Sequence, residues 1–216
     1  KSNNSNVKED SKLKLIKRLR EETNKTIVPS VFPIALINHK NFLSNDILPL
    51  AGISNTTTVF CKEGPEYAIY KSDRYGFNNP DNVWDLENIE WLLIGDSFVQ
   101  GSCVNQNKNF GSQFRSLTKQ NSINLGMAAN GPLLELATLK EYSLNKKLEN
   151  VLWFYFERND LDDLKIEKRN IILKKYLNNK FSQNLLNKQN EIDKLLFNFI
   201  DLVEKNLDTK QSSFKE

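Results

Sequence analysis

The sequence is poor in the residues that most often carry chemistry. Its 216 residues hold one histidine, one methionine and two cysteines. One histidine with two scattered cysteines does not make a structural zinc set, so neither a metal nor another cofactor is expected. Cys61 and Cys103 lack the close spacing of a redox or zinc pair. They read either as two buried small hydrophobes or as a bridge closing a loop of about 40 residues.

Charge of one sign is also scarce. Thirty Lys and Arg stand against 27 Asp and Glu, a net charge of +3. Lys and Glu are interleaved rather than blocked, so no nucleic-acid partner is expected. No apolar run approaches the roughly 20 residues that cross a bilayer, and no charged-then-apolar leader opens the sequence. No transmembrane segment is therefore expected in this chain. What is present, 39% hydrophobic and 26% charged residues, fits a globular protein with one well-buried core.

Along the chain, residues 1–10 are polar and expected to fray. Residues 11–25 predict a short helix with Leu13, Ile16 and Leu19 on one face. Residues 26–50 carry Pro29, Pro33 and Pro49 and read as irregular structure packed on something else. Residues 57–61 and 67–70 predict two short strands around a Glu63-Gly64-Pro65 turn. The polar, turn-rich stretch 71–80 contains Arg74, which suits an anion or, more readily, an intramolecular salt bridge.

From residue 90 the pattern changes. Residues 91–94, 122–125 and 151–156 are short apolar runs that read as buried parallel strands. Residues 110–117 predict a helix between the first two. Pro132 starts another, with Leu133, Leu134, Leu136, Leu139 and Tyr142 as its apolar face. Strand, helix, strand, helix, strand predicts a parallel sheet covered on both faces. Residues 166–176 and 191–207 show helical periodicity.

Ligands of parallel sheets bind beyond the carboxyl ends of the strands. Three polar clusters fall there: Gly95-Asp96-Ser97, then Asn124, Gly126 and Asn130-Gly131, then Glu157-Arg158-Asn159-Asp160. A serine at such a strand end exposes its hydroxyl, and its N–H is placed to stabilise an oxyanion. The plainer role is a helix cap. Asp96 is expected to cap or brace the turn. Asp160, Asp162 and Asp163 are read as the acids favoured at a helix start rather than as metal ligands.

Gly95-Asp96-Ser97-Phe98 resembles the first block of the SGNH, or GDSL-like, hydrolase superfamily. Residues 124–131 and 157–160 look like its second and third blocks, in the same order. The resemblance covers roughly residues 90–164. It implies a flavodoxin-like three-layer α/β/α sandwich with a parallel sheet, incomplete at the C-terminus. Residues 1–55 would be an N-terminal extension packing on the core, and 56–216 the hydrolase-like domain, helical after 164. It implies Ser97 as nucleophile and Asn159 as a side-chain oxyanion donor. The second-block backbone donor falls on Ala129, where the family has glycine, with Gly131 the nearest glycine beyond. Arg158 stands where the family has another glycine.

The family's aspartate and histidine come from a C-terminal Asp-x-x-His block that has no match in this chain. The one histidine, His39, lies upstream of Ser97. The resemblance therefore implies a serine esterase or O-acyltransferase-like domain whose base lies beyond Glu216, acting on a small-molecule or glycan ester. A non-catalytic glycan- or partner-binding domain is the alternative. Carbohydrate-modifying relatives favour a periplasmic or extracellular location.

Overall fold

The structure is a computed structural model, and it describes residues 3–37, 39, 47–143 and 147–212. The first helix, α1 (Asn3–Thr23), begins well before the predicted residue 11. Extending a nucleated helix costs little per residue, so a polar stretch with no breaker can continue it. Ile16 is its fully buried anchor, packed with Ile27 and Val59.

The proline-marked region is more regular than predicted. It forms β1 (Ile27–Pro29) and α2 (Pro33–Ile37). Strand β1 pairs in parallel with β2 (Thr57–Val59), which pairs antiparallel with β3 (Ile69–Lys71). Pro29 lies at the end of an edge strand, where a missing N–H is tolerated.

A second three-stranded sheet positions the site. Its centre is β4 (Asn88–Ile94), which runs into a short helix, α3 (Ser97–Gln100). Helix α4 (Phe110–Thr118) leads to β5 (Ser122–Asn124), and α5 (Pro132–Tyr142) leads to β6 (Lys147–Trp153). Both β5 and β6 pair in parallel with β4, giving the order β5-β4-β6. The chain is thus an α/β protein with a parallel sheet. Three further helices follow: α6 (Asp160–Glu167), α7 (Ile171–Lys175) and α8 (Gln189–Ser212).

Two tail predictions need correction. Strand β6 starts at Lys147 rather than 151 because β4 offers partners as far back as Asn88. It is also an edge strand, leaving Val151 and Trp153 each 42% exposed. The single helix predicted over 166–176 is broken, because the Asn170 side chain accepts from Leu173 N–H and caps a new helix. Apolar periodicity runs through the break and conceals it.

One core cluster draws on residues of both sheets. It holds Val28, Leu36, Leu50, Leu92, Ile94, Leu134, Tyr142, Leu196 and Ile200 among others. Between the sheets the 71–80 stretch is a clamp. Asp73 is fully buried and accepts from the N–H groups of Tyr75 and Phe77, Asn79 Nδ2 and Trp84 Nε1. Burial pushes its carboxyl up to about 6, and those four donors hold the rise there. Arg74 is committed to Asp81 at 2.7 Å and Asp85 at 2.8 Å, the intramolecular pairing.

Candidate active site

Strand β4 ends at Ile94, and the chain turns through Gly95 and Asp96 into α3. Asp96 is the N-cap, its Oδ1 accepting from Phe98 N–H at 2.9 Å. Ser97 is the first helical residue and is half-buried. Its side chain is not needed for the cap that Asp96 already provides. Helix α3 has only four residues, so the oriented N–H of Ser97 matters more than any summed helix dipole. Neither that N–H nor Ser97 Oγ bonds to another described residue.

The turn after β5 is held against α3 by close backbone contact. A Cβ on Gly126 would stand 2.4 Å from Gln100 N and 2.7 Å from Val99 C. Only glycine lets the α3 backbone approach this closely. Asn124 seals the contact: its Oδ1 accepts from Gly126 N–H and its Nδ2 donates to Val99 O. Asn79 holds Asn124 in turn, donating to its carbonyl and accepting from its N–H. Asn78 Nδ2 reaches Gln100 O at 2.9 Å.

The same turn is pinned on both sides of Ala129. Ala128 N–H donates to Gln100 Oε1 at 2.7 Å. Gly131 N–H donates to Glu167 Oε1 at 2.6 Å, so that N–H is already engaged. Gly131 also leaves room for two acids, since a Cβ there would meet Asp163 Cβ at 2.8 Å and Glu167 carboxylate oxygens at 3.0 Å. Ala129, between the pins, is half-buried and its N–H has no acceptor among the described residues. Its φ is +60°, in the left-handed region that favours glycine.

Beyond β6, Asn159 precedes α6 as its N-cap without a side-chain capping bond. Its Nδ2 donates to Asp163 Oδ2 at 3.0 Å, which fixes the carboxamide and leaves its second N–H unspent. Arg158 is exposed. Phe98 and Phe156 meet edge-to-face at 5.2 Å and link the Ser97 turn to the end of β6. Ser97, Ala129 and Asn159 thus follow three adjacent strand ends.

Burial reveals an acidic layer that the sequence did not announce. Glu135 is 1% exposed, takes its one bond from Trp153 Nε1 at 2.6 Å, and leaves Oε1 without a partner. Burial pushes it up to about 8, with the neighbouring charges of Asp160, Glu167 and Asp96 adding to the rise. Burial also raises Asp160, which accepts from Phe156 N–H, and lifts Glu167 to about 7. Among the described residues no group of three or more His, Cys, Asp or Glu side chains is arranged to hold a metal.

His39 is not part of this constellation. Its ring packs edge-on against Phe199 of α8 at 5.3 Å. An apolar cavity of about 360 Å³ between α1, β1, α2 and α8 also lies apart from the three strand ends. No described helix is long and apolar enough to cross a membrane.

Gln100, Asn78, Asn79 and Glu167 are the supporting residues that sequence reasoning missed. The signal available was the density of amide side chains in 78–79 beside a turn, which marks a segment that satisfies other segments' backbones. Comparison with protein-family models, curated proteins and solved structures returned no match.

Proposed function

We propose that this chain carries the nucleophile and oxyanion side of an SGNH-type serine esterase or O-acyltransferase-like domain. The observation that carries the reading is the set of unspent donors at three neighbouring parallel strand ends. These are the N–H of Ser97, the N–H of Ala129 and the second N–H of Asn159. In the proposed reaction Ser97 Oγ attacks an ester carbonyl, and the three donors hold the oxygen as it becomes anionic. The alcohol then leaves with a proton. The resulting acyl-serine passes its acyl group to water or to a sugar hydroxyl.

A serine hydroxyl needs a base to take its proton. No described residue bonded to Ser97 fills that role, so in this reading it falls to a histidine and aspartate that a longer protein would carry beyond residue 216. The architecture in this reading is a flavodoxin-like three-layer sandwich. Strand order second-first-third supports it as the start of a 2-1-3-4-5 sheet, in which right-handed crossovers would put α4 and α5 on opposite faces. The Cys61–Cys103 disulfide favours an oxidising, exported location.

A fluorophosphonate probe tests the assignment. The full-length protein should label on Ser97, and Ser97→Ala should abolish labelling. Equal labelling of the alanine variant sinks the nucleophile assignment. The left-handed Ala129, in a place that favours glycine, supports a second reading: a related fold that binds glycan without turnover. Saturable oligosaccharide binding by full-length protein that never labels would select that reading.

A further inference from the structure

We propose that the Cys61–Cys103 disulfide is a redox-controlled strap. Bonded, it braces the Ser97 and Ala129 segments, whose register the Gly126 contact sets; reduced, it loosens both. The inference rests on the Ser97 reading above and concerns regulation of that same site.

The bridge joins separate parts of the molecule. Cys61 follows β2 in the small sheet, and Cys103 lies just after α3, 42 residues on. Two routes run from it to the site. In the first, Ser102 Oγ lies 3.4 Å from Cys61 Sγ and 3.6 Å from Cys103 Sγ. The N–H of the same Ser102 donates to the carbonyl of Ser97 at 2.8 Å, as does that of Gly101 at 3.1 Å. Displacing the bridge therefore pulls directly on the backbone of Ser97. In the second, Cys61 and Ala128 pack on one small cluster of Phe60, Ala68 and Tyr70. Gln100 ties that cluster to the turn, accepting from Ala128 N–H while its Nε2 approaches the Tyr70 hydroxyl at 3.5 Å.

What distinguishes a strap from a staple is how little else depends on it. The main core, from Val28 to Ile200, includes neither cysteine. Among the described residues the cluster beside the bridge has three buried members, Phe60, Ala68 and Tyr70, so the bond adds to a small core. Cys103 has φ +59°, a left-handed conformation unfavourable for an L-residue, so its relaxation is favoured in the proposed reduced state. Both cysteines are partly exposed, within reach of a reductant. Reduction by a dithiol is balanced: the Sγ–Sγ bond breaks, two electrons and two protons pass to the cysteines, and the dithiol closes to its own disulfide.

The test is amide hydrogen exchange on the intact protein with and without dithiothreitol, alongside phosphonate labelling of Ser97. Reduction should speed exchange at residues 97–104 and 128–130 at least tenfold, with β4 and α5 unchanged. Labelling should slow at least tenfold. The Cys61→Ser/Cys103→Ser variant should behave as the reduced protein, with or without dithiol. Unchanged exchange at both segments overturns the proposal, and so does global unfolding on reduction, which would make the bond a staple. Absence of labelling in both redox states refutes the Ser97 reading alone, because exchange still decides whether the bridge controls the two segments.

Discussion

At the scale of single residues, Ala129 and Glu135 are where local preference and tertiary structure disagree most. An L-residue with φ +60° costs about 1 kcal/mol relative to glycine. Ala129→Gly should therefore raise unfolding stability by about 1 kcal/mol in a denaturant titration. It should leave phosphonate labelling intact, since the N–H is unchanged. A loss of stability would show that the methyl group packs usefully. Glu135 yields a pH prediction. Its folded pKa, about 8, lies above the unfolded carboxylate value, so between roughly pH 4.5 and 8 the folded state holds a proton that the unfolded state has released. The stability this contributes is complete below that window and is lost as pH rises through it. Glu135→Gln keeps an acceptor for Trp153 and removes the titration. Its melting temperature should match the wild type near pH 4 and exceed it by several degrees at pH 9. Parallel pH curves for the two proteins would refute the assignment.

At the scale of elements, the decisive device is the contact of α3 with the turn after β5. Gly126→Ala places a methyl against backbone atoms of Val99 and Gln100, which have no rotamer to yield. It should cost about 1–3 kcal/mol and reduce Ser97 labelling with it. Gly64→Ala, with nothing within 4 Å of the added carbon, is the neutral control. If both variants melt alike, the contact is not as tight as its geometry indicates. The elements also mark how far the sequence could be read. The cores of β4 and β5 and the start of α5 are legible because short apolar runs end in glycine or begin at proline. The places of Ser97 and Asn159 just past strands are legible for the same reason. Glu135, Glu141 and Glu167 are not. On a helix, glutamate reads as a solvated face, and here each is buried among N–H or ring donors from distant segments. Gln100 is illegible for a related reason, since its acceptor role depends on Gly126 bringing α3 within reach of Ala128. The edge position of β6 is hidden too, because its apolar run is the pattern of an interior strand.

At the scale of the whole molecule, that edge is the feature with the widest consequence. Val151, Trp153 and Tyr155 alternate along one side of the β6 segment at 42%, 42% and 54% exposure, and Leu152 and Phe154 are only partly buried on the other. Parallel strands with apolar residues on both faces are normally interior, and long apolar edges are a liability. In the proposed architecture the next parallel strand lies beside β6, and its arrival covers these side chains. Val151→Lys separates this expectation from a merely exposed edge. Residues 1–216 alone should tolerate it within about 0.5 kcal/mol, because the side chain reaches water. A protein that carries that next strand should lose at least 2 kcal/mol and most of its Ser97 labelling, because the lysine, projecting from the face of the sheet, would be buried under the layer covering it. Amides of 147–156 should exchange at least tenfold more slowly in the full-length protein than in residues 1–216. If Val151→Lys is as harmless in the full-length protein as in the shorter one, β6 is a true edge. The histidine of the proposed mechanism would then have to reach the site by some path other than a strand laid along it.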